Sequence, residues 1–297
     1  MDAEVVIIGA GPAGIQAAIH SARKKVATVM VGKPRNSAMH GTEIENYFGF
    51  QGVQSGSGML DNGIEQARSS GCQFIDSNVL SLSKSEKGFS VRIENGTEIC
   101  ARSLVLATGM TRVKLGVPGE TQFGFGKGVS YCATCDCNFY KQKVVALVGG
   151  QSEAAVDAEF MTRYASKVYW IAPAFDADPA LVEVADRSGV IRITASVTEI
   201  LGDSKVNSVK LSNGETVELD GVFIELGGKS SVDLAMEIDL MPEMDDTLKI
   251  DRNCATAVPG VFACGDVTGK PWQVAKAVGE GAVAGLAAAD YAKKAVQ

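Results

Sequence analysis

The chain begins with a glycine-rich turn set between a short apolar strand and a helix. Residues 4–8, EVVII, run into GAGPAG at 9–14, and the helix-forming stretch IQAAIHSARKK and the strand VATVMV follow. In such a β-α-β unit the first glycine permits a tight turn, the second lets a phosphate approach the backbone, and the third allows close packing of helix on strand. Gly9, Gly11 and Gly14 therefore predict a dinucleotide-binding turn whose anion lies at the start of the helix.

A second, altered copy of this turn lies near the middle of the chain. The strand VVALV leads into GGQSEAA at 149–155, where Gln151 takes the place of the second glycine. Near Pro242 the first unit resumes, because GVFACGDV at 260–267 predicts another strand and an alanine-rich helix follows. This order predicts an α/β protein with two Rossmann-like three-layer nucleotide-binding domains, the second inserted in the first. The expected bounds are 1–114 and 244–297 for the first domain and 115–243 for the inserted one.

The stretch between the two turns predicts smaller elements. A helix is expected from Met59 to Ser70, and alternating strands joined by an Asn95-Gly96 turn are expected from 79 to 101. The apolar run SLVLATG at 103–109 predicts a further strand that closes the block.

Composition excludes several classes of protein. The chain has 297 residues, of which 46% are hydrophobic and 21% charged, so it is long and apolar enough for about two globular domains. A net charge of -7 argues against a nucleic-acid partner. No apolar run approaches the ~20 residues that span a bilayer, and no targeting segment precedes the first strand. We therefore expect a cytoplasmic protein without a membrane partner.

Seven cysteines are present, and three of them fall in YCATCDCNFY at 131–140. Cys132 and Cys135 are spaced to form a small disulfide ring, and Asp136 follows as a group that can move the proton of thiol-disulfide exchange. A zinc site is the rival interpretation, with Cys137 as a third ligand, but neither a second pair nor a nearby histidine is evident. We expect redox chemistry and no metal. The remaining cysteines are expected to be packed side chains: Cys72, Cys100, Cys254 and Cys264.

Five motifs in order, GAGPAG, TEIENY, LVLATG, CATCD and GVFACGDV, make the chain resemble the low-molecular-weight thioredoxin reductases. The resemblance implies a homodimer with FAD in the first domain. It also implies that Cys135 faces the flavin, that Cys132 attacks the disulfide of thioredoxin or a similar small dithiol protein, and that Asp136 exchanges protons. The residues that it assigns to FAD, with neighbours in the same motifs, are Gly9, Gly11, Pro12, Ala13, Gly14, Asn46, Thr108, Gly109, Gly265, Asp266, Gln273 and Val274.

The chain departs from this family at the site for NADPH. Members that use NADPH carry a glycine at Gln151 and arginines after the second strand of the inserted domain, where this chain has WIAPAFDADPALVEVAD. A 2′-phosphate would meet acids there and lose charge-assisted hydrogen bonds worth about 1.5–3 kcal/mol each. Steric exclusion by Gln151 is the favoured interpretation; the alternative is that its side chain turns outward and a nucleotide still fits. Trp272, at a position where the family usually has arginine, is expected either to stack on the flavin or to lie in a dimer interface.

The sequence therefore predicts a flavoprotein disulfide reductase whose electron donor is reduced ferredoxin or a deazaflavin rather than NADPH. Three alternatives stay open: an ordinary NAD(P)H-dependent thioredoxin reductase, a flavin dithiol oxidase that passes electrons to oxygen, and a non-catalytic FAD-binding redox sensor. The intact CATCD motif speaks against the last of these.

Overall fold

The computed structural model describes residues 1–85, 88–110, 114–124, 126–131, 133–226 and 231–294. The chain divides into two compact units, one formed by Met1–Thr111 with Ser230–Gln297 and the other by Arg112–Lys229. The α/β class with two Rossmann-like domains, the second inserted in the first, is confirmed. No helix among the described residues is long and apolar enough to cross a membrane.

The first unit is built around a sheet with a parallel centre. Its strands are β1 (Asp2–Ile8), β2 (Thr28–Val31), β3 (Glu43–Ile44), β4 (Gln54–Ser55), β5 (Gln73–Ile75), β6 (Val79–Ser85), β7 (Gly88–Ile93), β8 (Glu98–Leu106) and, late in the chain, β17 (Val261–Ala263). The order of the main sheet is β5-β2-β1-β8, after which β8 pairs with both β7 and β17, and β6 follows β7; β3 and β4 form a separate two-stranded sheet. The helices of this unit are α1 (Pro12–Arg23), α2 (Gly56–Ser69), α6 (Ser231–Met236) and α7 (Val274–Lys294).

Strand β8 is one continuous element, although the sequence predicted two. Its first half pairs antiparallel with β7, from Glu98 to Ala101, and its second half pairs parallel with β17, from Leu104 to Leu106. A single strand serves two neighbours because those neighbours meet different halves of it. Helix α2 begins three residues before the expected Met59, since the Ser55 hydroxyl accepts a hydrogen bond from the amide of Gly58 and caps it there.

Alternation along β1 explains the layers of the first unit. Val5 and Ile7 face one cluster, which contains α1, α2 and α7, whereas Val6 and Ile8 face a second cluster that contains β6, β7 and α6. Successive side chains of a strand point to opposite faces, so both faces of this sheet are buried.

The second unit repeats this plan. Its strands are β9 (Val129–Ser130), β10 (Val144–Val148), β11 (Lys167–Ala172), β12 (Ile191–Thr194), β13 (Val197–Gly202), β14 (Val206–Leu211), β15 (Thr216–Glu218) and β16 (Gly221–Ile224). Its helices are α3 (Ala133–Asp136), α4 (Ser152–Met161) and α5 (Pro179–Arg187). A parallel sheet of order β12-β11-β10-β16-β9 packs α4 on one face and the antiparallel sheet β13-β14-β15 on the other.

The units divide at Arg112 and Ser230, whereas the sequence placed the boundaries at 115 and 243. The segment after 230 lies in the first unit because Leu234, Ala235 and Ile238 are buried against its sheet. Which ligand each unit holds stays a prediction.

Candidate functional site

The three glycines of the first turn are required for different structural reasons. Gly9 has φ +116°, and a Cβ on it would lie 2.2 Å from the carbonyl oxygen of Ala107. A Cβ on Gly14 would lie 1.9 Å from the carbonyl oxygen of Gly9. On Gly11, by contrast, a Cβ would meet only the Ser37 side chain, whose Oγ is 3.3 Å away. Close packing fixes the outer two glycines, whereas Gly11 leaves space in front of the N-terminus of α1, as a phosphate needs.

The remaining predicted cofactor residues of this unit follow parallel strands. Thr108 and Gly109 come after β8, and Gly265 and Asp266 come after β17. Because parallel strands of one sheet end at the same edge, these residues share an edge with the turn after β1. A Cβ on Gly265, which has φ +84°, would lie 2.8 Å from the Cβ of Ala13, so the two turns approach each other directly.

Residues far apart in the chain complete this edge. The Asn46 side-chain amide donates a hydrogen bond to Gln273 Oε1 at 3.0 Å, across 227 positions of sequence. Gln273 directly precedes Val274, the first residue of α7. Trp272 is 54% exposed, and the ammonium of Lys270 lies 5.2 Å from the centre of its ring. The structure thus brings Asn46 to the residues around the start of α7, as a shared site requires.

Ser231 belongs to this edge and was not found from the sequence. Its hydroxyl donates a hydrogen bond to the carbonyl oxygen of Gly109 at 2.9 Å and contacts the hydroxyl of Thr108. It orders the two residues that follow β8. A serine at the start of a short helix is the only sequence signal, and it does not reveal a partner 122 positions away.

The turn after β10 has the backbone of the first turn but a different residue before its helix. The Gly9 amide donates to the carbonyl of Val31, and the Gly149 amide likewise donates to the carbonyl of Ile171. Before its helix each turn has an extended residue: Gly11 with φ -86° and ψ -177°, and Gln151 with φ -96° and ψ 171°. Gln151 therefore adds a side chain at the position where the first turn has none.

The segment after β11, residues 174–178, lies directly on this second turn. The Asp176 amide donates to the carbonyl oxygen of Gly150 at 2.7 Å, and the Asp178 amide donates to Ser152 Oγ at 3.0 Å. A Cβ on Gly150 would lie 2.2 Å from the carbonyl oxygen of Ala174. Three contacts thus fix the 174–178 segment against the turn.

One guanidinium reaches this segment from an element that the sequence did not indicate. Arg192, on β12, has its Cζ 5.3 Å from the ring centre of Phe175. Its Nε and one terminal nitrogen bind both carboxylate oxygens of Asp186, at 2.8 and 2.9 Å. Arg192 was missed because it follows the acidic stretch in the chain and reaches it only through the pairing of β12 with β11. Its charge is already matched by Asp186.

The cysteine motif is attached to the core of the second unit. Cys132 lies outside the described residues; the backbone of Cys135 belongs to α3, and its side chain is outside them as well. Around them Ala133 and Tyr140 are buried, and Asp136 is half-buried. A Cβ on Gly221 would lie 2.1 Å from the Tyr140 ring, so that glycine makes room for the tyrosine.

The charge of Asp136 affects the pKa of Tyr140. Burial, together with the nearby carboxylates of Asp136 and Asp220, raises the pKa of Tyr140 to about 12. Tyr140 therefore stays protonated at any physiological pH. The proton exchange expected of Asp136 stays a prediction.

Cys137 is part of the core. It is 3% exposed, and its thiol donates to the carbonyl oxygen of Thr134 at 3.5 Å. A hydrogen bond with Cys137 also raises the pKa of Tyr164. Among the described residues no group of three or more metal-ligating side chains forms a metal site. Because the side chains of Cys132 and Cys135 lie outside that part, the zinc alternative is untested.

Three of the four remaining cysteines are packed as expected. Burial raises the pKa of Cys72 and of Cys254 to about 11, and raises that of Cys264 well above the usual value. Cys100 was expected to be packed as well, and this was wrong: it is exposed. It stands on β8, where alternate side chains turn outward.

This arrangement, two nucleotide-type turns in one chain and a paired-cysteine motif in the inserted unit, is that of a flavoprotein disulfide oxidoreductase. The family model for pyridine nucleotide-disulphide oxidoreductases matches residues 3–281, and the chain belongs to that family. A thioredoxin reductase of Aquifex aeolicus is 36% identical over 276 residues, which are 89% of this chain and 85% of the relative. The resemblance to thioredoxin reductases is confirmed, and the protein is an oxidoreductase.

Two solved structures match almost the whole chain. The atypical thioredoxin reductase TRi of Desulfovibrio vulgaris Hildenborough is 34% identical, covers 98% of both chains and has a TM-score of 0.83. A ferredoxin-flavin thioredoxin reductase of Clostridium acetobutylicum is 33% identical, covers 100% of this chain and 99% of its own, and has a TM-score of 0.69.

Proposed function

We propose that this protein is an FAD-dependent thioredoxin-disulfide reductase whose electron donor is reduced ferredoxin or a deazaflavin and not NADPH. The observation that carries the proposal is the contrast between its two glycine-rich turns. They have closely similar backbone angles before their helices, but Gln151 has a side chain at the position where Gly11 has none.

The first unit fits FAD. Gly11 has no side chain at the α1 N-terminus, and the positions that follow β1, β8 and β17 lie along one edge of the sheet. The pyrophosphate would bind at the turn formed by Gly9, Gly11 and Gly14. Asp266 would accept a hydrogen bond from a hydroxyl group of the cofactor. When bound, FAD supplies the two-electron chemistry that side chains cannot.

The cysteine pair would carry these electrons to the substrate. Reduction of a Cys132–Cys135 disulfide consumes two electrons and two protons and yields two thiols, and Asp136 would deliver a proton. The Cys132 thiolate then attacks the substrate disulfide, forms a mixed disulfide and releases one substrate thiolate, which takes up a proton. Attack by Cys135 on Cys132 releases the second substrate thiol and restores the disulfide. Because its relatives are thioredoxin reductases, thioredoxin is the proposed substrate; we also propose a homodimer, as in the family it resembles.

Charge supports the exclusion of NADPH from the second unit. Asp176 is exposed beside the turn, and Asp178 uses its carboxylate to cap α5 through the amide of Ala180, at 2.8 Å. The guanidinium of Arg192, which lies beside Phe175, is engaged by both oxygens of Asp186. A 2′-phosphate placed here would gain no free cation among the described residues of this segment, and each missing charge-assisted bond costs about 1.5–3 kcal/mol.

Rebuilding the second turn tests this proposal. Ala174 and Asp176 are exposed, so arginines there leave the buried Ala177 and the packing of Phe175 on Trp170 unchanged. The triple variant Gln151→Gly, Ala174→Arg, Asp176→Arg is expected to gain NADPH-dependent flavin reduction by about tenfold or more, the equivalent of one regained charge-assisted bond.

The matched control is the double variant Ala174→Arg, Asp176→Arg, which retains Gln151. It is expected to gain much less, since the side chain at the turn still blocks the pyrophosphate. Equal NADPH use by the double and triple variants would show that Gln151 is not the obstruction. Rapid NADPH oxidation by the unmodified protein would instead support an ordinary NADPH-dependent enzyme.

A further inference from the structure

A charged pair on α7 holds the turn that carries Asp266. The turn runs from Gly265 to Gly269, and both glycines have positive φ, +84° and +102°. Between them Asp266–Thr268 form a single 3-10 turn. Such a short element has few hydrogen bonds of its own, so contacts from outside decide where it lies.

The Lys276 ammonium supplies most of these contacts. It donates to the carbonyl oxygen of Gly265 at 2.8 Å, to the hydroxyl of Thr268 at 2.7 Å and to the carbonyl oxygen of Gly269 at 2.7 Å. One side chain thus binds the beginning, the middle and the end of the turn. Its side chain is only 17% exposed, so these bonds form in a partly desolvated place where they are stronger than at the surface.

Glu280, one helical turn later, accepts hydrogen bonds from donor groups of the same segment. Its Oε2 accepts hydrogen bonds from the Gly265 amide at 2.9 Å and from the Thr268 hydroxyl at 2.7 Å. The same oxygen lies 3.3 Å from Lys276 Nζ. The pair is therefore electrically balanced and engages both donors and acceptors of the turn.

The helix that carries the pair is itself fixed against α1. A Cβ on Gly281 would lie 2.2 Å from the carbonyl oxygen of Ala13, and a Cβ on Gly285 would lie 2.3 Å from that of Ala17. Backbone thus meets backbone along the contact between α7 and α1. Helix α7 joins the glycine-rich turn at 9–14 with the Gly265–Gly269 turn as one rigid assembly.

We propose that Lys276 and Glu280 are positioning residues of the flavin site, which hold Asp266 in register with the phosphate-binding turn. The inference rests on the proposed FAD site and adds two residues that would touch no part of the cofactor. Burial raises the pKa of Asp266, and the Lys276 charge opposes that rise while Glu280 adds to it. Lys276 thus also helps to keep the Asp266 carboxylate ionised, the form that only accepts hydrogen bonds.

The test measures FAD binding to apoprotein by equilibrium titration, with far-UV circular dichroism of each apoprotein as the folding control. Lys276→Met keeps an unbranched side chain, one atom shorter, and removes its charge. It is expected to raise the FAD dissociation constant by about tenfold or more and to alter the visible spectrum of bound flavin. Lys276→Arg, which keeps the charge and its donors, is expected to recover part of the loss.

Lys293→Met is the matched control, because Lys293 lies on the same helix and also donates to a backbone carbonyl, that of Lys24 at 2.6 Å. Its FAD affinity is expected to equal that of the unmodified protein. Glu280→Gln keeps the shape of the side chain and an acceptor oxygen. If Lys276→Met does not fold, the FAD affinity of Glu280→Gln tests the inference instead. It too is expected to weaken FAD binding, because Lys276 loses its counter-charge.

Unchanged FAD affinity in folded Lys276→Met, or in Glu280→Gln where the first variant does not fold, would overturn the inference. So would an equal loss in Lys293→Met, since the effect would then be one of general helix stability. Failure of the unmodified apoprotein to bind FAD would instead refute the proposed function, and the two failures are therefore distinguishable.

Discussion

A glutamine transplanted into the first turn tests whether this side chain excludes a nucleotide. The variant is Gly11→Gln, which gives the open turn the residue of the filled one. Gly11 has φ -86° and ψ -177°, close to the φ -96° and ψ 171° of Gln151, so the backbone accepts the change. A Cβ there meets only Ser37, with Oγ at 3.3 Å and Cβ at 3.9 Å. We expect the apoprotein to fold normally.

The expected effects on folding and on binding differ in size. Replacing a glycine at an extended position stabilises by about 0.4–1 kcal/mol through the unfolded chain, and the contact with Ser37 offsets part of that. Excluding the pyrophosphate removes at least two charge-assisted hydrogen bonds of about 1.5–3 kcal/mol each. The FAD dissociation constant should therefore rise about a hundredfold to ten-thousandfold, since about 1.4 kcal/mol corresponds to tenfold.

The assay is equilibrium titration of apoprotein with FAD, together with thermal unfolding of the apoprotein. Gly11→Ala is the first control: it adds only the Cβ and should lose much less affinity. Gly14→Ala is the second, and it should unfold at lower temperature, because its Cβ would lie 1.9 Å from the carbonyl oxygen of Gly9. If Gly11→Gln binds FAD as tightly as the unmodified protein, a glutamine at this position does not obstruct, and the argument from Gln151 fails.

Four further substitutions have defined outcomes. Cys137→Ala should lower the free energy of unfolding by about 1 kcal/mol in urea titrations and leave thioredoxin turnover unchanged, because Cys137 is a buried core residue; lost turnover in folded protein would give it a chemical role. Asp266→Asn should raise the melting temperature of the apoprotein at pH 7 and weaken FAD binding. The folded pKa of Asp266 is raised, so its ionised form costs stability as pH rises through that pKa, and a neutral side chain removes the cost; a lower melting temperature would contradict this. Asp136→Asn should slow turnover by about 10²-fold or more. Tyr140→Phe should leave the pH profile of turnover below pH 10 unchanged, since the Tyr140 pKa is about 12. The reverse pattern would make the tyrosine the proton donor.

The features that the sequence predicted well are those encoded locally. The apolar strand, the glycine turn and the following helix at 5–23 lie within one short stretch, and the alanine-rich helix expected after GVFACGDV is observed as α7, Val274–Lys294. The hydrophobic periodicity of these elements and the glycines at their ends can be recognised without information about distant contacts.

The features that the sequence missed depend on contacts between distant residues. Ser231 reaches Gly109 across 122 positions, and Arg192 reaches the 174–178 segment only through strand pairing. Lys276 and Glu280 look like an ordinary i, i+4 surface pair in sequence, and only the return of the Gly265–Gly269 turn onto α7 gives them partners. The exposure of Cys100 likewise follows from the face of β8 on which it stands.

The most direct measurement of the central claim is anaerobic reduction of the purified flavoprotein by separate donors. Bleaching of the visible flavin absorption would be followed after adding NADPH, NADH, reduced ferredoxin or reduced deazaflavin in turn. We predict fast bleaching with reduced ferredoxin or deazaflavin and little with either pyridine nucleotide. Fast bleaching by NADPH would contradict the account, because the second turn would then accept the nucleotide that Gln151 and the 174–178 segment are proposed to exclude.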